Sequence, residues 1–184
     1  MITRRNFLRM TGAAGALSLT SSPSLLAAAD DGFIELRARP ATASLLGEDA
    51  PPSKVWSFNG TVPGPTIRAR RGDTLRVRLV NELDQATSVH WHGIRIDNAM
   101  DGVAGLTQAA VEPGETFDYV FTVPDAGTYW YHSHNRSWEQ VERGLYGALI
   151  VDEPESAFAV DDEATLVIDD WRVGSDGRLD EDFG

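Results

Sequence analysis

All four histidines of this 184-residue chain lie in two His-X-His pairs, His90 with His92 and His132 with His134. Side chains at positions i and i+2 of a β-strand leave the same face, with their bases about 6.5–7 Å apart. Each pair therefore points two imidazoles in one direction, and two such strands side by side would bring four ring nitrogens together. Imidazole binds copper, zinc or iron at about 2 Å. The pattern predicts a metal site in which each pair either chelates one ion or serves two neighbouring ions.

Charge and cysteine content exclude several classes of partner and site. The chain has 16 basic and 28 acidic residues, a formal net charge of −12, which disfavours nucleic acids and anionic membrane surfaces as partners. It contains no cysteine. A blue-copper electron-entry site needs a cysteine thiolate, so these residues cannot form one.

Residues 1–29 have the composition of an export signal rather than of a folded domain. Arg4-Arg5 and Phe7-Leu8 precede a short apolar stretch, and Ala27-Ala28-Ala29 offers a cleavage site. The Arg-Arg pair followed by Phe-Leu resembles a twin-arginine signal, although an ordinary secretory signal or a basic N-terminal stub remains an alternative. The apolar stretch is too short for a membrane span. We expect export to the periplasm.

The segments that must position the histidines have the pattern of an all-β sandwich or barrel. β-Branched and aromatic residues alternate with Gly, Pro, Asp and Asn, and the length suits one well-cored domain with extra segments. One short helix is predicted at 138–143 and an unpartnered strand at 164–171. The other predicted strands are 33–39, 54–58, 66–69, 74–81, 88–92, 116–123, 127–132 and 145–151.

Several motifs together resemble the first cupredoxin domain of laccase-like bacterial multicopper oxidases. The match covers about residues 33–153, and the two histidine motifs are its most specific part. The motifs are Phe58-Asn59-Gly60-Thr61-Val62-Pro63-Gly64-Pro65-Thr66, Gly72-Asp73, His90-Trp91-His92-Gly93, Asp101-Gly102, Gly127-Thr128-Tyr129-Trp130-Tyr131-His132-Ser133-His134 and Gly144-Leu145-Tyr146-Gly147-Ala148-Leu149-Ile150-Val151.

The resemblance implies a Greek-key β-barrel or sandwich at 30–153 that carries half of a trinuclear copper centre reducing O₂ to water. By position, His90 resembles a type 2 copper ligand, and His92, His132 and His134 resemble ligands of the type 3 pair. Asp101 resembles an acidic residue that assists proton delivery, although an ordinary turn Asp before Gly102 explains it equally well.

The same resemblance implies that other parts of the oxidase are supplied from outside these residues. Residues 154–184 would be a linker and the truncated start of a second cupredoxin domain. The type 1 copper, the remaining cluster ligands and the site for a phenolic or metal-ion electron donor would belong to C-terminal cupredoxin domains. We therefore expect this chain alone to be inactive as an oxidase.

Two other functions fit the histidine pattern. One is a stand-alone, exported copper-binding or storage module without oxidase activity, because four imidazoles suffice for one Cu(II). The other is a zinc hydrolase, which the absence of acidic companions near the pairs disfavours. In either case Trp91 and Ser133 should face away from the metal and serve packing, while the acceptors that fix the histidine tautomers are not identified.

Overall fold

The computed structural model describes residues 31–153 and 161–183. The predicted export signal at 1–29 lies outside the described residues, as do 154–160 and 184 of the segment predicted as a linker and the start of a second domain.

Within the described residues, eight strands form two four-stranded sheets, so the all-β prediction is confirmed. The first sheet has the order β2-β1-β4-β6 and the second β3-β8-β7-β5. β1 runs parallel to β4 and β3 parallel to β8, while the other neighbours are antiparallel. The strands are β1 (Ile34–Ala43), β2 (Ser53–Phe58), β3 (Gly64–Arg70), β4 (Thr74–Asn81), β5 (His90–His92), β6 (Thr116–Thr122), β7 (Gly127–His132) and β8 (Tyr146–Asp152).

The core lies between the sheets and follows the two-residue period of the strands. On β4, Leu75, Val77 and Leu79 are buried, and the intervening arginines point outward. Tyr119 and Phe121 of β6 pair with Val77 and Leu75 and are buried on the same face. This alternation places one apolar face of each strand against the opposite sheet.

The prediction of a strand at 164–171 is wrong. Residues 161–170 are exposed and belong to no strand of the described chain, because a strand needs a neighbouring backbone for its hydrogen bonds. Side chains hold this segment to the domain instead. Arg68 Nη1 donates to Glu163 Oε1 at 2.6 Å, and the Tyr146 hydroxyl donates to Asp169 Oδ2 at 2.5 Å.

The predicted helix after the second histidine pair exists but is shorter than expected. Helix α1 (Ser137–Gln140) follows β7, and the chain then turns through Gly144 into β8. Gly144 has φ +112°, and an added Cβ would approach the Trp56 carbonyl oxygen to 2.6 Å. Among the described residues, no helix is long and apolar enough to cross a membrane.

Candidate metal centre

The two histidine pairs meet because β5 lies beside the end of β7. The strands are antiparallel, with His90 opposite His132 and His92 opposite Trp130. His134 follows β7 by two residues and turns back to the same place. The ring centroid of His90 lies 5.5 Å from that of His92, 5.3 Å from that of His132 and 5.1 Å from that of His134. The structure thus brings all four histidines together.

Ring nitrogens of three histidines converge closely enough to bind metal. One ligand atom from each of His90, His92 and His132 lies within 4.8 Å of the others. His92 Nδ1 and His132 Nε2 are 3.3 Å apart. Two nitrogens bound to one ion at about 2.0–2.1 Å, with an angle near 110° between them, would be about 3.3–3.4 Å apart. The spacing therefore suits a single shared ion.

Backbone carbonyls fix the tautomers of two histidines. His90 Nδ1 lies 2.7 Å from the Asp101 carbonyl oxygen, and His132 Nδ1 lies 2.8 Å from the Ser133 carbonyl oxygen. A carbonyl only accepts, so each Nδ1 donates its hydrogen and each Nε2 is left with a free lone pair for a metal. Both acceptors are backbone carbonyls, which every residue has, so the sequence does not indicate which residues provide them.

The Asp101 carbonyl reaches His90 because Gly102 allows the chain to pass very close to the preceding strand. Gly102 has φ +81°, and a Cβ there would lie 1.7 Å from the Val89 carbonyl oxygen. Only glycine fits this position without displacing backbone. The Asp101 carboxylate lies at the edge of the cluster, with Oδ1 3.5 Å from His90 Nδ1 and 29% of its side chain exposed.

Burial keeps His132 neutral. Loss of water around the ring is the main cause that lowers the pKa of His132 to about 4; the nearby histidines also lower it, and the hydrogen bond to the Ser133 carbonyl partly opposes these effects. A neutral imidazole is the form that binds metal. His132 therefore offers Nε2 as a ligand throughout the neutral pH range.

The two residues between the histidines face away from the cluster, as the strand alternation predicts. Trp91 is fully buried and packs against Tyr119, Phe121 and Tyr131, so its predicted packing role is confirmed.

Ser133 does more than pack. It lies in a buried polar network in which its hydroxyl and that of Thr87 donate to Gln140 Oε1, at 2.5 and 2.7 Å. Gln140 Nε2 donates in turn to the Ala86 carbonyl oxygen. Gln140 supports the second histidine pair from behind, and nothing in the sequence distinguishes it from a surface residue of a short helix.

Comparison with known proteins decides the family. The model of the multicopper oxidase family matches residues 40–156. The chain belongs to the multicopper oxidase family. Its cluster of four histidines lies within the matched segment.

Individual relatives agree with this assignment. "Copper resistance protein A" of Escherichia coli is 40% identical over 181 residues, which are 92% of this chain and 29% of that protein. "L-ascorbate oxidase" of Cucumis sativus is 48% identical over 123 residues, 64% of this chain and 21% of that protein. The chain thus spans less than a third of the length of these relatives.

A solved structure supports the fold as well. Lac15 from a marine microbial metagenome superposes with a TM-score of 0.70 and 49% sequence identity, covering 80% of this chain and 39% of that one. The two-sheet sandwich is therefore the cupredoxin-like fold of multicopper oxidases, as the motifs imply.

Proposed function

We propose that this chain supplies half of the ligands of a trinuclear copper centre in an exported multicopper oxidase. The observation that carries the proposal is the convergence of four imidazoles, with His92 Nδ1 and His132 Nε2 3.3 Å apart. Copper suits this donor set, because neutral imidazole binds both Cu(I) and Cu(II). Copper bound there would collect electrons and transfer them to O₂, which is reduced to water.

In this proposal each histidine has one assigned role. His90 is a ligand of the type 2 copper through Nε2, since its Nδ1 is occupied by the Asp101 carbonyl. His92, His132 and His134 are ligands of the type 3 pair. The 3.3 Å spacing supports one shared type 3 ion for His92 and His132, which leaves His134 for the second.

Asp101 is proposed to pass protons to the centre. Its carboxylate lies beside the His90 ring and is partly exposed to water, so it can take a proton from solvent and hold it near the cluster. Reduction of O₂ to water consumes protons, and a positioned carboxylate is a suitable donor. The same residue orients His90 through its backbone carbonyl, so its two roles use different atoms.

The remaining parts of the reaction are assigned outside these residues. The chain has no cysteine, so electrons from a phenol or a low-valent metal ion would enter at a type 1 copper in C-terminal cupredoxin domains. We propose residues 30–153 as the copper domain and 154–184 as a linker and the start of a second domain. The relatives include proteins named for copper resistance and for ascorbate oxidation, which is consistent with either a metal ion or an organic reductant as the donor. Export to the periplasm by the twin-arginine route completes the proposal.

A stand-alone copper-binding or storage module is the second candidate. It is favoured by the convergence of the four imidazoles, which suffice for one Cu(II) without a ligand from elsewhere.

Copper loading and oxygen uptake test both candidates. The 184-residue chain is loaded with Cu(II), dialysed, and assayed for bound copper and for O₂ uptake with a phenol. A half-centre should bind copper through its histidines, release it to a competing chelator and consume no O₂. Retention of one copper against the chelator would favour storage instead. Steady O₂ uptake by this chain alone would contradict the half-centre, and copper binding unchanged by His132→Ala would contradict both.

A further inference from the structure

We propose that Trp130 is a positioning residue that holds the His92 ring in the orientation needed to share an ion with His132, a role that rests on the proposed copper function. Trp130 lies outside the four-histidine set. Its indole contacts the two histidines whose nitrogens are 3.3 Å apart.

The strand geometry places Trp130 beside both rings. Trp130 precedes His132 by two residues on β7, so the two side chains share a face. It also lies directly opposite His92 in the antiparallel β5–β7 pair, and directly opposed residues of such a pair lie on the same face. The indole stacks on the His132 ring at a centroid distance of 4.0 Å and an interplanar angle of 24°. It lies 5.0 Å from the His92 ring at 36°.

His92 needs this support because its ring lacks the carbonyl anchor that two other histidines have. His90 and His132 each donate Nδ1–H to a backbone carbonyl oxygen. Within residues 31–153 and 161–183, the polar contact of the His92 ring is with His132 Nε2, which is itself a proposed ligand. His92 is also exposed. Its neighbouring indole is therefore the group that limits rotation of the ring.

The contact of Trp130 with the two histidine rings is not explained by packing in the core. Trp130 is 39% exposed, so it is not a core residue whose identity is set by packing between the sheets. Trp138 provides a comparison in the same chain. It is 61% exposed, and its ring contacts the Arg136 guanidinium at 5.9 Å rather than a histidine.

Three variants of the full 184-residue chain test the role: Trp130→Leu, which removes the aromatic ring; Trp130→Phe, which keeps a stacking ring; and the control Trp138→Leu. The affinity for Cu(II) is measured by competition with a chelator. In the Zn(II)-loaded chain, ¹⁵N NMR of the imidazoles reports which nitrogen of His92 binds metal. Thermal unfolding of each metal-free variant shows whether the fold is retained.

Loss of a group that orients a ligand typically weakens metal binding about 10- to 100-fold. We expect Trp130→Leu to weaken Cu(II) binding by about 10-fold or more and to replace the single Nδ1-bound signal of His92 with mixed signals. Trp130→Phe should retain most of the affinity and the single signal, and Trp138→Leu should match the wild type. A purely structural role for Trp130 would lower the unfolding temperature without changing the nitrogen that His92 uses.

The positioning role is overturned if Trp130→Leu binds Cu(II) as the wild type does and leaves the His92 signal unchanged, or if Trp130→Phe is as damaging as Trp130→Leu. Should Trp130→Leu fail to fold, Trp130→Met is measured by the same criteria. Failure of the proposed copper function gives a different result, because wild-type Cu(II) binding would then be unaffected by His132→Ala. That outcome overturns the copper function and the positioning role together.

Discussion

His92 Nδ1 and His132 Nε2 approach each other to 3.3 Å across the β5–β7 strand pair. The two nitrogens come from residues forty positions apart in sequence, and they have the separation expected of two ligands on one ion. His132 Nδ1 donates a hydrogen bond to the Ser133 carbonyl oxygen, which leaves Nε2 as the nitrogen of His132 that can bind the ion.

The shared ion predicts that the two histidines act as a unit. His92→Ala and His132→Ala should each remove most of the Cu(II) affinity, and the double variant should be little worse than either single one. Copper titration of the four proteins completes a double-mutant cycle, which measures such coupling directly. Additive losses would mean that the two histidines bind separate ions.

Gly102→Ala should disrupt both the fold and the orientation of His90. An added Cβ would lie 1.7 Å from the Val89 carbonyl oxygen, so the turn must move and take the Asp101 carbonyl away from His90 Nδ1. We expect a loss of about 3 kcal/mol or more in the free energy of unfolding, together with weaker Cu(II) binding. Urea denaturation and copper titration measure the two effects.

Gly105→Ala is the matched control for that change. Gly105 has a similar φ of +79°, but a Cβ added there would have nothing within 4 Å. Only the backbone penalty of about 1–2 kcal/mol applies there, and copper binding should be unchanged. Equal effects of the two substitutions would show that the close approach to Val89 is unimportant.

Gln140→Leu should destabilise the chain although it introduces an apolar residue into a buried position. The hydroxyls of Thr87 and Ser133 would lose their shared acceptor and keep only longer contacts of 3.3 Å, with each other and from Ser133 to the Asn135 carbonyl oxygen. Because a buried polar group that loses its partner costs about 1–3 kcal/mol, we expect a total loss of about 1–3 kcal/mol by urea denaturation. Glu142→Gln, at an exposed position nearby, should stay within about 0.5 kcal/mol of wild type. A neutral effect of Gln140→Leu would contradict a supporting role for the network.

The metal-free chain should lose stability in mild acid partly because of His132. The pKa of this ring is about 4 in the folded chain and about 6.5 when unfolded. As pH falls from about 6.5 to 4, the unfolded chain takes up a proton that the folded chain does not, so the free energy of unfolding decreases. His132→Gln lacks this group and should show a shallower decrease in urea denaturation between pH 7 and 4.5. Parallel curves for the two proteins would exclude a contribution from His132.

The sequence predicts the features that follow from local periodicity. The two-residue alternation around Leu75 and Tyr119 predicts the sandwich, and the i,i+2 spacing of the histidines predicts that each pair points one way. Long-range and backbone contacts are different. The hydrogen-bond acceptor at Ser133 is a backbone carbonyl, which every residue has. The support from Gln140 depends on a helix packing behind the end of a strand. Neither contact can therefore be inferred from the residue types.

The predicted strand at 164–171 fails for a related reason. Its β-branched residues have strand propensity, but propensity depends on a paired, half-buried surface. In the described chain Leu166 and Ile168 are 85% and 94% exposed, and no neighbouring backbone pairs with them.

X-ray absorption at the copper edge of the Cu(II)-loaded chain shows directly whether histidine nitrogens bind the metal. We expect at least two imidazole nitrogens at about 2.0 Å from copper, and a weaker imidazole signal in the His92→Ala, His132→Ala double variant, in which only His90 and His134 remain. A spectrum with oxygen ligands alone, or one that the double variant leaves unchanged, would contradict a copper centre built on these histidines.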